Sequence, residues 1–202
     1  MALRARKRQN ERGATLIEAV IVTPVFLIML MGMFETAFWV HDHIKVTSAA
    51  GAGARAATIE GSTVSADFQT LQSVRNGLSS FDPAAVERIV VFRADDPAAD
   101  IPSGCLSVPP PPDAPCNSYA PSDFFLPFSD ALGNQTAHWG CGPTSRDQNW
   151  CPGDREASLS AANGPDHVGV YIRVRQANLT GLFGPDRTVE VTRIARIEPT
   201  SN

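Results

Sequence analysis

The stretch RGATLIEAV, from Arg12 to Val20, decides the fold that this sequence predicts. Gly13 ends a basic segment, and an apolar run begins at Ala14 with a first carboxylate, Glu18, near its start. A carboxylate inside an apolar helix costs roughly 3 kcal/mol at the centre of a bilayer, and less near the interface. Glu18 is therefore either a residue that extends its carboxylate to the lipid headgroups or a functional residue.

The apolar run extends from Ala14 to Val40 and is interrupted by charge only at Glu18 and Glu35. As a helix rising about 1.5 Å per residue it is roughly 40 Å long, more than the bilayer's hydrocarbon core of about 30 Å. A secretory signal peptide has a shorter apolar core, about 7–15 residues, followed at once by a cleavage site. The run therefore predicts a transmembrane helix over residues 14–40.

The segment before this helix, residues 1–13, is a basic leader. The chain has a formal net charge of −4, and the leader contributes five basic residues and one acidic residue, so the remainder carries −8. Basic residues next to a membrane helix stay in the cytoplasm, which places the N-terminus inside and the C-terminal part outside. An anionic exported part argues against nucleic acid as a partner. The charged residues of the leader are Arg4, Arg6, Lys7, Arg8, Glu11 and Arg12.

The leader, the Gly13–Ala14 junction and Glu18 resemble the class III signal of type IV pilin-like proteins. The continuation resembles the TadE-type pseudopilins of the tight-adherence (Flp) pilus. GMFETAFWV at residues 32–40 and AAGAGARAA at residues 49–57 carry this second resemblance. It covers residues 1–60 well and residues 163–202 loosely.

The resemblance implies a processing site, partners and a location. In that family a prepilin peptidase on the cytoplasmic side cleaves after the glycine, here between Gly13 and Ala14, and Glu18 becomes the fifth residue of the mature chain. The implied partners are membrane lipid, the peptidase, other pilin-like subunits and the tight-adherence membrane platform. The implied location is the bacterial cytoplasmic (inner) membrane, or the cell surface within a pilus. The sequence departs from the wider group at Ala19, where many members have an aromatic residue, and at Ala14, where others begin with Phe.

A physical argument also connects Ala14 with Glu18. Cleavage after Gly13 would create an ammonium group at Ala14, and residues four apart share one face of a helix. In a helix bundle Glu18 can instead bind the Ala14 ammonium of a neighbouring subunit, which would neutralise both charges and set the register between subunits. We expect Glu18 to act in assembly.

Four cysteines follow the helix within a window of 47 residues, at Cys105, Cys116, Cys141 and Cys151. Outside the cytoplasm disulfides persist, and sequence proximity favours the pairs Cys105–Cys116 and Cys141–Cys151 among the three possible pairings. Free thiols and a zinc site are the alternatives. Zinc ligands usually come in pairs separated by about two to four residues. The wider spacing here favours disulfides, and we expect no metal and no cofactor.

The rest of the chain predicts an α+β fold, with an antiparallel sheet and a disulfide-bearing insert. A juxtamembrane helical region, residues 41–82, precedes an exported domain, residues 83–202. Alternating or β-branched runs predict strands at residues 88–92, 167–175 and 188–197. A Pro- and Cys-rich irregular insert occupies residues 95–165.

Two helical faces precede the first strand. Small residues recur over residues 44–57, which allows close approach of another helix. The sequence leaves open whether that helix belongs to this domain or to another subunit. A second apolar stripe over residues 64–81 predicts a helix that packs on the exported domain.

The sequence gives little sign of catalysis. His41 and His43 are two residues apart, so they point to different faces of a helix and do not readily share a metal. The serines lie outside any recognisable nucleophile motif. We therefore expect a non-enzymatic pilus-assembly component. The alternatives are an uncleaved single-pass membrane protein with a ligand- or partner-binding ectodomain, and an exported hydrolase cleaved near residues 50–57.

Overall fold

The computed structural model describes residues 2–127, 138–181 and 183–199, and only the helical backbone of residues 2–15. Gly13 and Ala14, the predicted processing site, therefore lie outside the residues whose side chains are described. Residues 128–137 of the insert are not described at all. The chain divides into two compact units. One comprises Met1–His41 with Ala177–Pro185, and the other Asp42–Gln176 with Asp186–Asn202.

The first element is α1, Ala2–Glu60, a helix of 59 residues that continues through Pro24. Proline removes one backbone hydrogen bond but does not end a helix when its surroundings compensate. The helix ends at Gly61, whose φ of 55° lies in the left-handed region that glycine adopts without strain. The Gly61 amide donates to the Ala57 carbonyl at 3.0 Å, which closes the last turn.

The second element is α2, Ala66–Gly77, which lies within the predicted stripe of residues 64–81. Leu71 and Val74 of α2 are buried, and so are Leu78 and Phe81 beyond its end. Leu71 and Val74 are three residues apart and lie on one face of α2. The prediction that the apolar stripe packs on the domain that carries the sheet is confirmed, because all four residues belong to its main apolar core.

In the described part of the chain four strands form one antiparallel sheet, in the order β2-β1-β3-β4. Three of them contain the predicted strand segments or overlap them: β1 is Val86–Ala94, β3 is His167–Ala177 and β4 is Asp186–Arg196. The short edge strand β2, Cys116–Tyr119, lies in the insert and was not predicted. In the register, β1 pairs Ile89 with Tyr119 of β2 and with Ile172 of β3. The α+β fold class is confirmed.

Both faces of the central strands are covered. Because side chains alternate across a strand, Ile89 and Ile172 join the main core together with residues of α1 and α2. Val90 and Tyr171 face the other way, into a smaller apolar cluster that includes the disulfide-bonded Cys116. The insert thus gives the sheet a second buried face.

The small-residue face of α1 packs inside the second unit, which carries the sheet. Ala49, Ala50, Ala54 and Ala57 are almost fully buried. A Cβ built on Gly77 of α2 would lie 2.8 Å from the Cα of Ala49, which shows how closely the two helices approach. Of the two contacts that the sequence left open, the structure shows the one within the domain.

The described parts of the insert, residues 95–127 and 138–165, contain regular elements. Besides β2 they contain short 3₁₀ helices at Ser103–Leu106, Pro121–Phe125 and Pro152–Asp154. Disulfides join Cys105 to Cys116 and Cys141 to Cys151, the two pairs favoured by proximity in the sequence. Each closes a loop of about a dozen residues, which removes nearly 3 kcal/mol of unfolded-chain entropy in the loop-closure estimate.

Candidate functional site: the apolar helix and its polar contacts

The N-terminal part of α1 exposes a continuous apolar surface. None of the residues in its most apolar window is buried, and the helix is long and apolar enough to cross a membrane. Large apolar side chains point outward around it, among them Leu16, Ile21, Phe26, Met29 and Met33. An exposed apolar surface of this extent requires lipid or other apolar helices around it.

Glu18 lies on this surface and is exposed. One helical turn separates it from Ala14, whose side chain is not described, so the geometry of the predicted Ala14–Glu18 pair stays a prediction. A charged group on a lipid-facing surface is costly, and a partner charge would offset that cost. The backbone of α1 includes Gly13, Ala14 and Glu18 in one uninterrupted helix.

A second carboxylate of the apolar helix, Glu35, is in a different environment. Its side chain is only 4% exposed. The Thr180 amide donates to Oε2 of Glu35 at 3.2 Å, and the Thr180 hydroxyl donates to the same oxygen. Oε1 of Glu35 is buried without a hydrogen-bond partner among the described residues. Thr180 belongs to the connection between β3 and β4, so this loop supplies the polar contacts of a carboxylate in the predicted span.

A third carboxylate lies just beyond the predicted span. Asp42 accepts a hydrogen bond from the Arg187 guanidinium of β4 at 2.5 Å, and both side chains are mostly buried. This ion pair involves the middle residue of the His41-Asp42-His43 motif. Among the described residues, no group of three or more His, Cys, Asp and Glu side chains is arranged to hold a metal ion.

A buried polar network connects α2 with the insert. Asp67 binds Arg155 at 2.6 Å, with both side chains fully buried. The Tyr119 hydroxyl and the Asn117 amide donate to the other Asp67 oxygen at 2.5 and 2.8 Å. The Arg155 guanidinium also lies 4.1 Å from the ring centre of Trp150. Burial, and then the neighbouring Asp67 carboxylate, raise the pKa of Tyr119 well above its ordinary value of 10.0.

This network joins the insert to α2 through buried side chains. Asp67 and Arg155 pair their opposite charges, as buried charges usually do, while Nε and Nη1 of Arg155 are buried without a hydrogen-bond partner among the described residues. The loop closed by Cys141–Cys151 has a similar internal contact, in which Asp147 accepts hydrogen bonds from the amides of Gly140 and Cys141 at 2.9 and 3.0 Å. Burial raises the pKa of Asp147, and the two amides oppose this rise. Sequence analysis missed the Asp67 network because it joins residues up to 88 positions apart. It missed the Asp147 contacts, which join residues six and seven positions apart, because an irregular loop has no periodic pattern that would reveal them.

A family model described as TadE-like protein matches residues 13–55. The match begins at the predicted processing site and ends within the small-residue segment of α1, and it confirms the resemblance drawn from these residues. No curated protein and no solved structure matches the chain.

Proposed function

We propose, from the TadE-like match at residues 13–55, that this protein is a non-enzymatic assembly component of a tight-adherence pilus, a pseudopilin or minor pilin. A prepilin peptidase cleaves it between Gly13 and Ala14. The mature chain stays in the bacterial cytoplasmic membrane through residues 14–40, with the C-terminal unit exported. The observation that carries the proposal is the apolar part of α1, whose most apolar window contains no buried residue, in a helix that continues without interruption to Glu60.

The apolar helix supports a role in assembly because the same apolar side chains can contact either lipid or the helices of other subunits. In the membrane, lipid covers its apolar side chains. In a filament or a membrane platform, the same side chains pack against the helices of other pilin-like subunits. The described carboxylates that are buried in the exported unit are engaged in structural contacts.

The two disulfides support export of the C-terminal unit. Disulfides persist in oxidising compartments and are rare in the cytoplasm. The basic leader independently predicts a cytoplasmic N-terminus. The two signals agree on one topology, with α1 crossing the membrane once.

Glu18 has the assembly role in this proposal. In lipid, its carboxylate and the new Ala14 ammonium of the same or a neighbouring subunit neutralise one another. Pairing between subunits also fixes their axial register, because any other register leaves two charges in an apolar setting.

Complementation in a bacterium that lacks the chromosomal copy tests the function. We expect loss of the chain to abolish surface pili, wild-type protein to restore them, and Glu18→Gln to restore about a tenth or less, since losing about 1.4 kcal/mol of pairing already shifts an equilibrium tenfold. The matched control is Glu198→Gln, the same change at an exposed position of the exported unit. Pili would be counted by electron microscopy, with membrane levels of each variant equalised by immunoblot. Normal piliation without the chain would refute the function, and full activity of Glu18→Gln would refute the role of Glu18.

A further inference from the structure

The connection between β3 and β4 is unusually apolar for an exposed loop. Its sequence, NLTGLFGP at residues 178–185, contains no charged residue, whereas Arg175 and Asp186 border it. Leu179 and Phe183 are 68% and 66% exposed, among the most exposed large apolar side chains of the described chain outside the apolar helix. Such a surface in water is unfavourable and indicates a partner.

This loop lies against the apolar helix, in the same compact unit. Thr180 donates to Glu35 through its amide and its hydroxyl. The ring of Phe183 lies near Gly32, where an added Cβ would be 3.8 Å from it. Gly32 and Glu35, which contact this loop, both lie inside the predicted span of residues 14–40.

The depth of this contact follows from helix geometry. Gly32 and Glu35 lie about 12 and 8 Å below Val40, the outer end of the apolar run, at about 1.5 Å per residue. The headgroup region of one leaflet is only about 5–8 Å thick. A loop in contact with Gly32 and Glu35 thus reaches the boundary between headgroups and acyl chains. At that depth Leu179 and Phe183 meet lipid.

We propose that the β3–β4 loop, residues 178–185, is a second membrane contact of this protein, inserted into the outer leaflet beside α1. The proposal rests on the membrane anchoring proposed above. Leu179 and Phe183 enter the apolar part of the leaflet, and Thr180 supplies the hydrogen bonds that lipid cannot give to Glu35. The partner of the loop is the lipid itself. The proposal therefore predicts that acyl chains surround the loop even when a single copy of the protein is in the bilayer.

Quenching by lipids brominated on their acyl chains tests this contact in the full chain. Tryptophan is introduced singly by Phe183→Trp and Leu179→Trp, and the emission of the native tryptophans is subtracted with the wild-type protein. Phe26→Trp, in the apolar helix, reports anchoring, and the matched control is Leu159→Trp, 70% exposed in the exported unit. The protein is reconstituted at about one copy per vesicle.

We expect brominated lipid to remove most of the added emission at positions 26, 179 and 183 and little at position 159, with aqueous iodide giving the reverse order. Quenching at position 26 alone would overturn the loop proposal and leave the anchoring intact. No quenching at position 26 would refute the anchoring and the loop proposal together. Protection of positions 179 and 183 from both quenchers would also overturn the proposal, because protein would then cover the loop.

Discussion

At the scale of single residues, the buried Asp67 carboxylate of α2 contacts three side chains of the insert. These are Asn117 and Tyr119 of β2, and Arg155, which lies just after the 3₁₀ helix Pro152–Asp154. If any one of these side chains is truncated, the polar atom that it contacted loses its hydrogen-bond partner. An unsatisfied buried polar group costs about 1–3 kcal/mol. The network therefore makes the position of the insert depend on α2.

The phenol of Tyr119 gives this network a pH dependence. We expect Tyr119→Phe to lower the free energy of unfolding at pH 7 by about 1.5–3 kcal/mol, the usual worth of a hydrogen bond to a charged group. Burial raises the pKa of Tyr119 in the folded protein above 10.0. The phenol's contribution is thus complete below the unfolded pKa, and it is lost as the pH rises from there through the folded pKa.

The difference in stability between wild type and Tyr119→Phe should therefore shrink above about pH 10, by about 1.4 kcal/mol per pH unit. Denaturant unfolding of the detergent-solubilised protein between pH 7 and pH 11, followed by tryptophan emission, measures it. A difference that stays constant over this range would mean that the phenol is not buried against Asp67.

At the scale of elements, the contact between α1 and α2 depends on small residues. A Cβ at Gly77 would be 2.7 Å from the Cβ of Ala49 and 2.8 Å from its Cα, and backbone cannot yield as a flexible side chain can. A Cβ at Gly51, on another face of α1, would meet nothing within 4 Å. Two glycine-to-alanine changes can thus be compared directly.

We expect Gly77→Ala to destabilise the protein by about 1–3 kcal/mol, the usual cost of overpacking. The control Gly51→Ala should stabilise it by about 0.5–1 kcal/mol, because alanine is the better helix former. The stabilities of the two variants are compared by their midpoints of denaturant unfolding, provided that the dependence of the unfolding free energy on denaturant concentration is unchanged. Equal effects of the two changes would contradict the close packing of the helices.

The same elements show what the sequence could predict. Local patterns gave α2, three strands and the apolar helix, because each depends on a period of about 3.6 or 2 residues. The edge strand Cys116–Tyr119 was missed because four residues carry no clear period and it lies in a proline-rich insert. The pairing of Asp67 with Arg155 and of Glu35 with Thr180 joins residues 88 and 145 positions apart, which no local pattern records.

At the scale of the whole molecule, the apolar helix and the domain that carries the sheet differ in the surface that they expose. The N-terminal part of α1 exposes a largely apolar surface suited to lipid or to other helices, with Glu18 on it. The unit of Asp42–Gln176 and Asp186–Asn202 has its own apolar core and carries two disulfides. The TadE-like match at residues 13–55 begins at the Gly13–Ala14 junction, extends through the apolar helix and ends within the packed segment of α1.

The measurement that tests the central claim most directly is the N-terminus of the membrane-bound protein, by intact mass and N-terminal sequencing, with and without a co-expressed prepilin peptidase. We expect a mature chain that begins at Ala14 only when the peptidase is present, and an uncleaved chain for Gly13→Val under both conditions. A wild-type chain that keeps the leader, residues 1–13, in the presence of an active peptidase would contradict the account and favour an uncleaved single-pass membrane protein.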